Sequence, residues 1–254
     1  MSMSSKIQHH VGSIENLPSV RKLRSEVAGL GLLGMLVRNA EAKETAAQIN
    51  SELDRIVNIV DRFYRVLGDR NWVFFDGMNL DRMDKVVSKP SPDEAERELI
   101  LYFKEEDTLK WMIRRLNRFP DMQPRINLLE KAERDYLEGR YYSSVLVTVS
   151  VMDGFVNDIL KDKRRGLHAR TASEMYVEDC VAAAWEGLPS VQKVFTKSVH
   201  KRIDDPITDV YRHALMHGTA TDFDNDVIAS KAWCMLFAVG DWAEAKAKTQ
   251  SEPD

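Results

Sequence analysis

The chain has 254 residues, of which 44% are hydrophobic and 30% are charged, and its formal net charge is −4. This composition is that of an ordinary globular protein, and it excludes a largely disordered chain. The longest apolar stretch, residues 28–37, is too short to span a bilayer, and the N-terminus lacks the apolar run of a secretory signal. We therefore expect a cytoplasmic protein with no membrane partner.

The charge is divided unevenly along the chain. Residues 1–120 carry 19 basic and 18 acidic side chains, a net +1, whereas residues 121–254 carry 17 and 22, a net −5. This balance argues against strong non-specific binding to nucleic acid, so any RNA site must depend on a local basic patch. The two cysteines, Cys180 and Cys234, sit in apolar helical patterns, which predicts buried free thiols.

Hydrophobic periodicity predicts helices from the start of the chain. A first helix begins near Pro18, because proline is well suited to the first helical turn. The second is the clearest, since its apolar residues alternate by four and three until Gly68, forming a seam for another long helix of this chain or of a partner. The seam residues are Ile49, Leu53, Ile56, Val60, Phe63 and Leu67.

The next segments are shorter. Residues 69–89 break the periodicity and predict a packed connection with one short helix. Residues 91–94, Ser-Pro-Asp-Glu, combine a capping box with proline at the first helical position, and the helix they start continues, with a break, towards Phe119. Residues 120–124, bounded by two prolines, form the predicted domain boundary. It separates an N-terminal helical region, 1–120, from a second helical domain, 121–254.

The second domain is also predicted to be helical. Four valines between Val145 and Val151 alternate like a half-buried strand, but the apolar pattern extends past Phe155, so we predict a helix there. The fold class is therefore an all-α helical bundle. The predicted helices of this domain cover residues 126–139, 141–161, 172–187, 191–202, 206–217 and 225–248.

Two patterns imitate ligand sites. Gly29, Gly31 and Gly34 spell the dinucleotide fingerprint, but a helical sequence precedes them where that site needs a strand, so they favour close helix packing. His213 and His217 have a spacing that can bind zinc, but the glutamate of zinc-protease helices is missing between them. We therefore expect no metal site and no cofactor.

The segment YRHALMHG, residues 211–218, carries the clearest chemical signal. Arg212 precedes His217 by five residues, on the last turns of a predicted helix closed by Gly218. Arginine offers a permanent forked cation for phosphate oxygens, and histidine transfers protons near neutral pH. Together they can cleave a phosphodiester without a metal ion. The alternative is that both side chains pair with acids or stabilise the helix end.

Three stretches, taken in order, resemble the HEPN superfamily, which comprises small helical bundles common in prokaryotic toxins and RNA-processing systems. They are KAERDYLEGRYYSSVLVTVSVMDGFVNDIL at 131–160, YRHALMHG at 211–218 and NDVIASKAWCMLFAVGDWAEA at 225–245. The resemblance covers roughly residues 125–248. It implies metal-independent RNA cleavage by a homodimer whose composite site combines residues of two subunits. A role as a toxin or in antiphage defence, with a cognate antitoxin or regulator, is implied in the same way.

The resemblance also assigns roles to individual residues. Arg212 would hold the scissile phosphate, and His217 would transfer a proton of the attacking 2′-hydroxyl or of the leaving 5′-oxygen. His213 stands where the family often has a polar residue, commonly asparagine, so it would assist, orient or only fill space. Asp153 would orient Arg212 from the facing helix, with a solvent-facing position as the alternative.

Basic clusters supply candidate RNA contacts. One run would receive the RNA backbone, or alternatively form a solvated basic helix end. It consists of Lys161, Lys163, Arg164 and Arg165, followed by His168 and Arg170. Arg114, Arg115 and Arg118 support the same two interpretations. A non-catalytic helical scaffold that binds nucleic acid or a protein partner is the alternative to the endoribonuclease.

Overall fold

A computed structural model describes residues 13–159, 165–184 and 186–251. Over these residues the protein contains ten α-helices and no β-sheet, which confirms the predicted all-α class. In the same residues, no helix is both long enough and apolar enough to cross a bilayer. The helices are α1 Pro18–Leu36, α2 Ala40–Leu67, α3 Leu80–Val87, α4 Pro92–Phe103, α5 Glu106–Leu116, α6 Ile126–Leu137, α7 Tyr141–Ile159, α8 Leu188–Phe195, α9 Arg212–Met216 and α10 Asp226–Ser251.

The chain forms two compact units, and the division between Asp61 and Arg62 falls within α2. The boundary predicted at residues 120–124 lies inside the second unit, where α5 packs against α6. The predicted seam of α2 is largely buried. Its buried members are Leu53, Val60, Phe63 and Leu67.

The first unit contains a hairpin of α1 and the part of α2 that precedes Arg62. A Cβ atom on Gly34 would lie 3.0 Å from the backbone nitrogen of Lys43, so only glycine allows the two helices to come this close. This confirms for Gly34 the close helix packing predicted from the glycine pattern, whereas a Cβ atom on Gly29 would meet no atom within 4 Å. Arg24 ties the hairpin together, because its guanidinium group lies 2.7 Å from Glu15 and 2.6 Å from Asp54.

The end of α1 leaves a group of apolar side chains uncovered. Five neighbouring residues are each more than half exposed, although large apolar side chains are normally buried. They are Leu32, Leu33, Met35, Leu36 and Val37.

The second unit is built around α10. Residues 228–243 of this helix are buried without interruption, which is the pattern of a helix enclosed on all sides. α10 packs on α7, α4, α5 and α8, and α7 in turn packs on α6. Two pairs of polar side chains bond each other inside this core: Trp233 Nε1 donates to Ser144 Oγ at 3.1 Å, and the hydroxyls of Tyr136 and Ser230 lie 2.6 Å apart. The helix predicted through the four valines is α7.

The start and the break that were predicted for the helix between residues 91 and 119 are both present. Ser91 accepts a hydrogen bond from the backbone nitrogen of Glu94, and Pro92 occupies the first turn of α4. The break expected in this helix falls at Lys104 and Glu105, which separate α4 from α5.

The prediction of a helix at residues 172–187 is wrong. The described part of this segment holds only a 3-10 turn, Val181–Ala183. Thr171 and Glu174 bind each other through side chain and backbone, which closes a tight turn before a helix can propagate. The chain then pairs the backbone nitrogen of Val177 with the carbonyl of Ala183, at 3.2 Å, so tertiary burial overrides the helical pattern.

The helix predicted at residues 206–217 is much shorter than expected. Only Arg212–Met216 is helical, and Gly218 ends it with a φ of +69°. The preceding residues pair with the chain that follows α9 instead. The backbone nitrogen of Ile203 donates to the Thr219 carbonyl at 2.7 Å, and that of Ile207 donates to the Asp222 carbonyl at 3.0 Å.

Asp241 is a buried acid in the middle of α10. Its Oδ2 accepts a hydrogen bond from the backbone nitrogen of Asp76, whereas its Oδ1 lies 2.7 Å from Arg115 Nη2 but makes no well-aligned hydrogen bond. Burial, followed by the negative charge of Asp76, raises the pKa of Asp241 to about 8 despite the opposing effect of Arg115.

This carboxyl group should make stability depend on pH. The folded protein keeps a proton on Asp241 that the unfolded chain, with an ordinary pKa near 3.8, releases. We therefore expect the free energy of unfolding to fall by about 1 kcal/mol for each pH unit between about pH 5 and pH 8. Asp241→Asn stays neutral and should flatten this dependence in urea unfolding, while the exposed control Asp204→Asn should keep it. An unchanged slope in Asp241→Asn would contradict the assignment.

Both cysteines are buried and free, as predicted. Burial raises the pKa of each thiol to about 12, and the Cys234 thiol donates to the Val73 carbonyl at 3.0 Å. Because the thiolate is the reactive form, we expect neither cysteine to react with a disulfide reagent at pH 8 until the protein is unfolded. Absorbance of the released thiol before and after urea addition measures this. Immediate reaction of the folded protein would show that a thiol is accessible.

Candidate functional site

An open cleft of about 310 Å³ lies between the middle of α7, the start of α9 and the loop after residue 165. α7 contributes residues spaced three and four apart, which places them on one helix face. Arg212 and Met216 of α9 are four residues apart and also share a face. Side chains and backbone that line the cleft include Ser150, Asp153, Asn157, Gly166, His168 and Arg212.

The carboxylate of Asp153 connects the walls of this cleft. His168 Nδ1 lies 2.9 Å from its Oδ1 and 2.8 Å from its Oδ2, and the His168 backbone nitrogen donates to Oδ1 at 3.1 Å. Arg212 Nη2 lies 3.3 Å from Oδ2. One carboxylate on α7 thus contacts both an imidazole and a guanidinium group.

The contact with Asp153 decides the orientation of the His168 ring. A carboxylate accepts hydrogen bonds, so Nδ1 carries the proton in this pair. Nε2 is left without a protein partner in the described part of the chain, and 41% of the side chain is exposed. An imidazole held by a carboxylate at one nitrogen and open at the other is the usual arrangement of a general base.

Asp153 holds the Arg212 guanidinium group, but not all of the hydrogen-bond donors of that group have an acceptor. The Arg212 side chain is 23% exposed, and its contact with Asp153 occupies one terminal nitrogen. Its Nε is buried and finds no hydrogen-bond partner within the described residues. Because guanidinium carries five N–H donors in a fixed plane, the remaining donors can bind an anion in the cleft.

The structure does not bring His217 into this cleft. His217 is exposed and does not line the cleft, since residues five apart on a helix point about 140° away from each other. Its ring lies 4.6 Å from that of His213, which lies 5.2 Å from that of His200. His213 Nδ1 is buried without a hydrogen-bond partner among the residues described. In that part of the chain, no three His, Cys, Asp or Glu side chains are arranged to hold a metal ion.

The predicted RNA-binding run is only partly described. Lys161, Lys163 and Arg164 lie outside the described residues. Arg165 forms an ion pair with Glu174 at 2.9 Å, which offsets much of its charge. The side chain of Arg170 is fully buried, so it cannot receive an RNA backbone.

The sequence did not reveal that His168 belongs to the site. This residue belonged to a basic run, and nothing in the pattern links it to Asp153, which lies 15 residues earlier. Gly166 is the one local signal: a Cβ atom there would lie 2.4 Å from Asp153 Oδ1, so glycine is needed for the loop to reach the carboxylate. That requirement is visible only once the contact is known.

Comparison with protein-family models, curated proteins and solved structures gave no match to this chain. The resemblance to the HEPN superfamily therefore stays a prediction that rests on the three sequence stretches.

Gly166→Ala tests the loop contact directly. The added methyl group cannot fit beside Asp153, so we expect the loop to move and the His168 Nδ1–H bond to be lost, with about 1–3 kcal/mol of destabilisation. The low-field imidazole N–H resonance in NMR and urea unfolding measure the two effects. Gly68→Ala is the control, because its Cβ atom would meet only Tyr64 at 3.8 Å. A retained imidazole resonance in Gly166→Ala would contradict the contact.

Proposed function

We propose that this protein is a metal-independent endoribonuclease that cleaves RNA in the Asp153 cleft. The supporting observation is that Asp153 contacts both His168, at 2.8 Å, and Arg212, at 3.3 Å, in one open cleft. A phosphate-binding cation and a proton-transfer group are thereby held side by side. Those are the two functions that RNA cleavage by its own 2′-hydroxyl requires.

Arg212 binds the scissile phosphate in this proposal. Cleavage passes through a crowded phosphorane in which negative charge builds up on the phosphoryl oxygens. A guanidinium group that is already positioned by Asp153 stabilises that charge without reorganising.

His168 takes the proton of the 2′-hydroxyl through its free Nε2. The 2′-oxygen then attacks phosphorus, the bond from phosphorus to the 5′-oxygen breaks, and the 5′-oxygen receives a proton. The products are a 2′,3′-cyclic phosphate and a 5′-hydroxyl end. DNA has no internal nucleophile and is not a substrate. Asp153 stabilises the imidazolium that forms on His168.

The leaving 5′-oxygen needs a second proton-transfer group, and we assign it to His217 of a second protomer. His217 is exposed and points away from the Arg212 cleft of its own chain, so it is available only to RNA bound elsewhere. A homodimer with composite sites, as the HEPN resemblance implies, would place it against the Arg212 of the partner. A toxin or antiphage role with a cognate regulator extends the same resemblance.

The proposal is tested by incubating purified protein with mixed RNA in EDTA. We expect cleavage with cyclic phosphate ends, a loss of about 10²–10³-fold for Arg212→Ala and of about 10²–10⁴-fold for His168→Ala. Arg202→Ala, which removes an exposed arginine that is paired with Asp204 at 2.6 Å and does not line the cleft, is the matched control and should keep full activity. Equal RNA loss with all variants would identify a contaminating nuclease.

A mixing experiment tests the composite site. Arg212→Ala and His217→Ala are each inactive in the proposal, but a mixed dimer contains one site with both residues intact. Mixing should restore about a quarter of the activity, because half of the random dimers are mixed and each has one of two sites. No restoration, together with a fully active His217→Ala, would remove His217 from the mechanism.

The exposed apolar end of α1 favours a second candidate, a non-catalytic helical protein that binds a partner. Five apolar side chains between residues 32 and 37 are more than half exposed there, as is common at protein interfaces. The RNA assay separates the two candidates, because this one requires that the wild-type protein leave RNA intact.

A further inference from the structure

A second groove, of about 540 Å³, lies beside the first turns of α5 and contains an exposed tryptophan. Trp111 is 46% exposed, whereas Trp72, Trp233 and Trp242 are fully buried. Tryptophan is seldom left this open, because its ring gains more than most side chains from burial. Its exposure inside a groove therefore needs an explanation.

The Trp111 ring is held in place at one edge. A Cβ atom on Gly77 would lie 2.7 Å from its Cζ3, and Gly77 has a φ of +100°, so the ring edge rests directly on the backbone of this turn. The indole is thus held at one edge by the backbone, and the rest of the ring is exposed in the groove. Packing fixes the orientation of the ring before any ligand arrives.

Two exposed arginines, Arg114 and Arg118, follow Trp111 in the chain. Arg114 lines the groove, and Arg118 lies beyond the end of α5, in the turn that follows it. Both are exposed, and neither forms an ion pair with the described residues. Arg115 differs, because its guanidinium group lies 2.7 Å from the buried Asp241 and 3.6 Å from the carboxylate of Glu244. Of the three arginines predicted together, one is structural and two present free charge.

The charged side chains that line the groove balance each other, so the additional positive charge is that of Arg118 beside the groove. Arg82 is paired with Glu105 and adds no net charge. Asp107 contributes one carboxylate against the guanidinium group of Arg114. Asp107 and Thr108 also offer oxygen acceptors near the ring, which suit the amino and imino groups of nucleobases.

We propose that this groove binds single-stranded nucleic acid, with a base stacked on Trp111 and backbone phosphates bound by Arg114 and Arg118. A supported aromatic ring next to unpaired arginines is the combination that single-strand sites use. A duplex keeps its bases stacked inside, so it cannot offer a base to Trp111. The groove is distinct from the Asp153 cleft, and it rests on the proposed function only in expecting RNA as the ligand.

The experiment is a fluorescence titration of the full-length protein with a short 2′-O-methyl oligouridylate. The methyl group blocks the internal nucleophile, so binding is measured without cleavage. Stacking should quench the emission of the exposed Trp111. The quenching should disappear in Trp111→Phe, which removes the indole and keeps an aromatic ring, while the other four tryptophans continue to emit.

Affinity separates the contributions of the ring and the arginines. We expect Trp111→Ala to weaken binding at least tenfold, and Arg114→Ala with Arg118→Ala to lower the slope of log affinity against log salt by about 1.4. Arg202→Ala, an exposed arginine already paired with Asp204 at 2.6 Å, is the control and should change neither value. Circular dichroism confirms that each variant is folded.

The outcomes distinguish this proposal from the endoribonuclease. Oligonucleotide binding that is unchanged in Trp111→Ala and in the double arginine variant overturns the groove proposal, even if RNA cleavage is found. Absence of any binding by the wild-type protein overturns it as well. Trp111-dependent quenching without cleavage of unmodified RNA supports the groove and overturns the endoribonuclease.

Discussion

The candidate site depends on the contacts that the Asp153 carboxylate makes with His168 and Arg212. The carboxylate comes from a long, well-packed helix, whereas its two partners come from segments with little regular structure of their own: the loop at His168 and the five-residue helix that starts at Arg212. Removing a carboxylate from such a contact leaves a partly buried cation without its partner, which costs more than the contact itself contributes. The geometry of the cleft is therefore set by α7.

The position of α7 is set in turn by the core. α10 is buried along residues 228–243, and α7 packs both on it and on α6. Interiors packed to this density leave side chains few alternative positions, so the face of α7 that carries Asp153 is fixed relative to the rest of the unit. The apolar core thus fixes the position of the α7 face that lines the polar cleft, although it contributes no reacting group to the cleft.

Arginines of similar appearance in the sequence have separate roles in the fold. Arg115 is bound to a buried acid, Arg170 is enclosed with Glu174, and Arg212 keeps free donors in an open cleft. The difference lies in which acids reach them, and those acids are distant in sequence. A count of basic residues could indicate candidate RNA contacts, but it could not separate structural from available charge.

Local patterns were sufficient for most of the helices, because periodicity and caps act within a few residues. The seam of α2, the Ser91 cap and the helix through Val145 and Val151 all follow from neighbours three or four positions apart. The same reasoning failed at residues 172–187, where local turn bonds replace helical ones, and at 206–217, where the backbone bonds to the segment that follows α9. The sequence by itself determined the fold class and drew attention to Arg212. Only the tertiary structure decided that His168, and not His217, shares Asp153 with it, since contacts across 15 and 59 residues arise from packing and leave no local pattern.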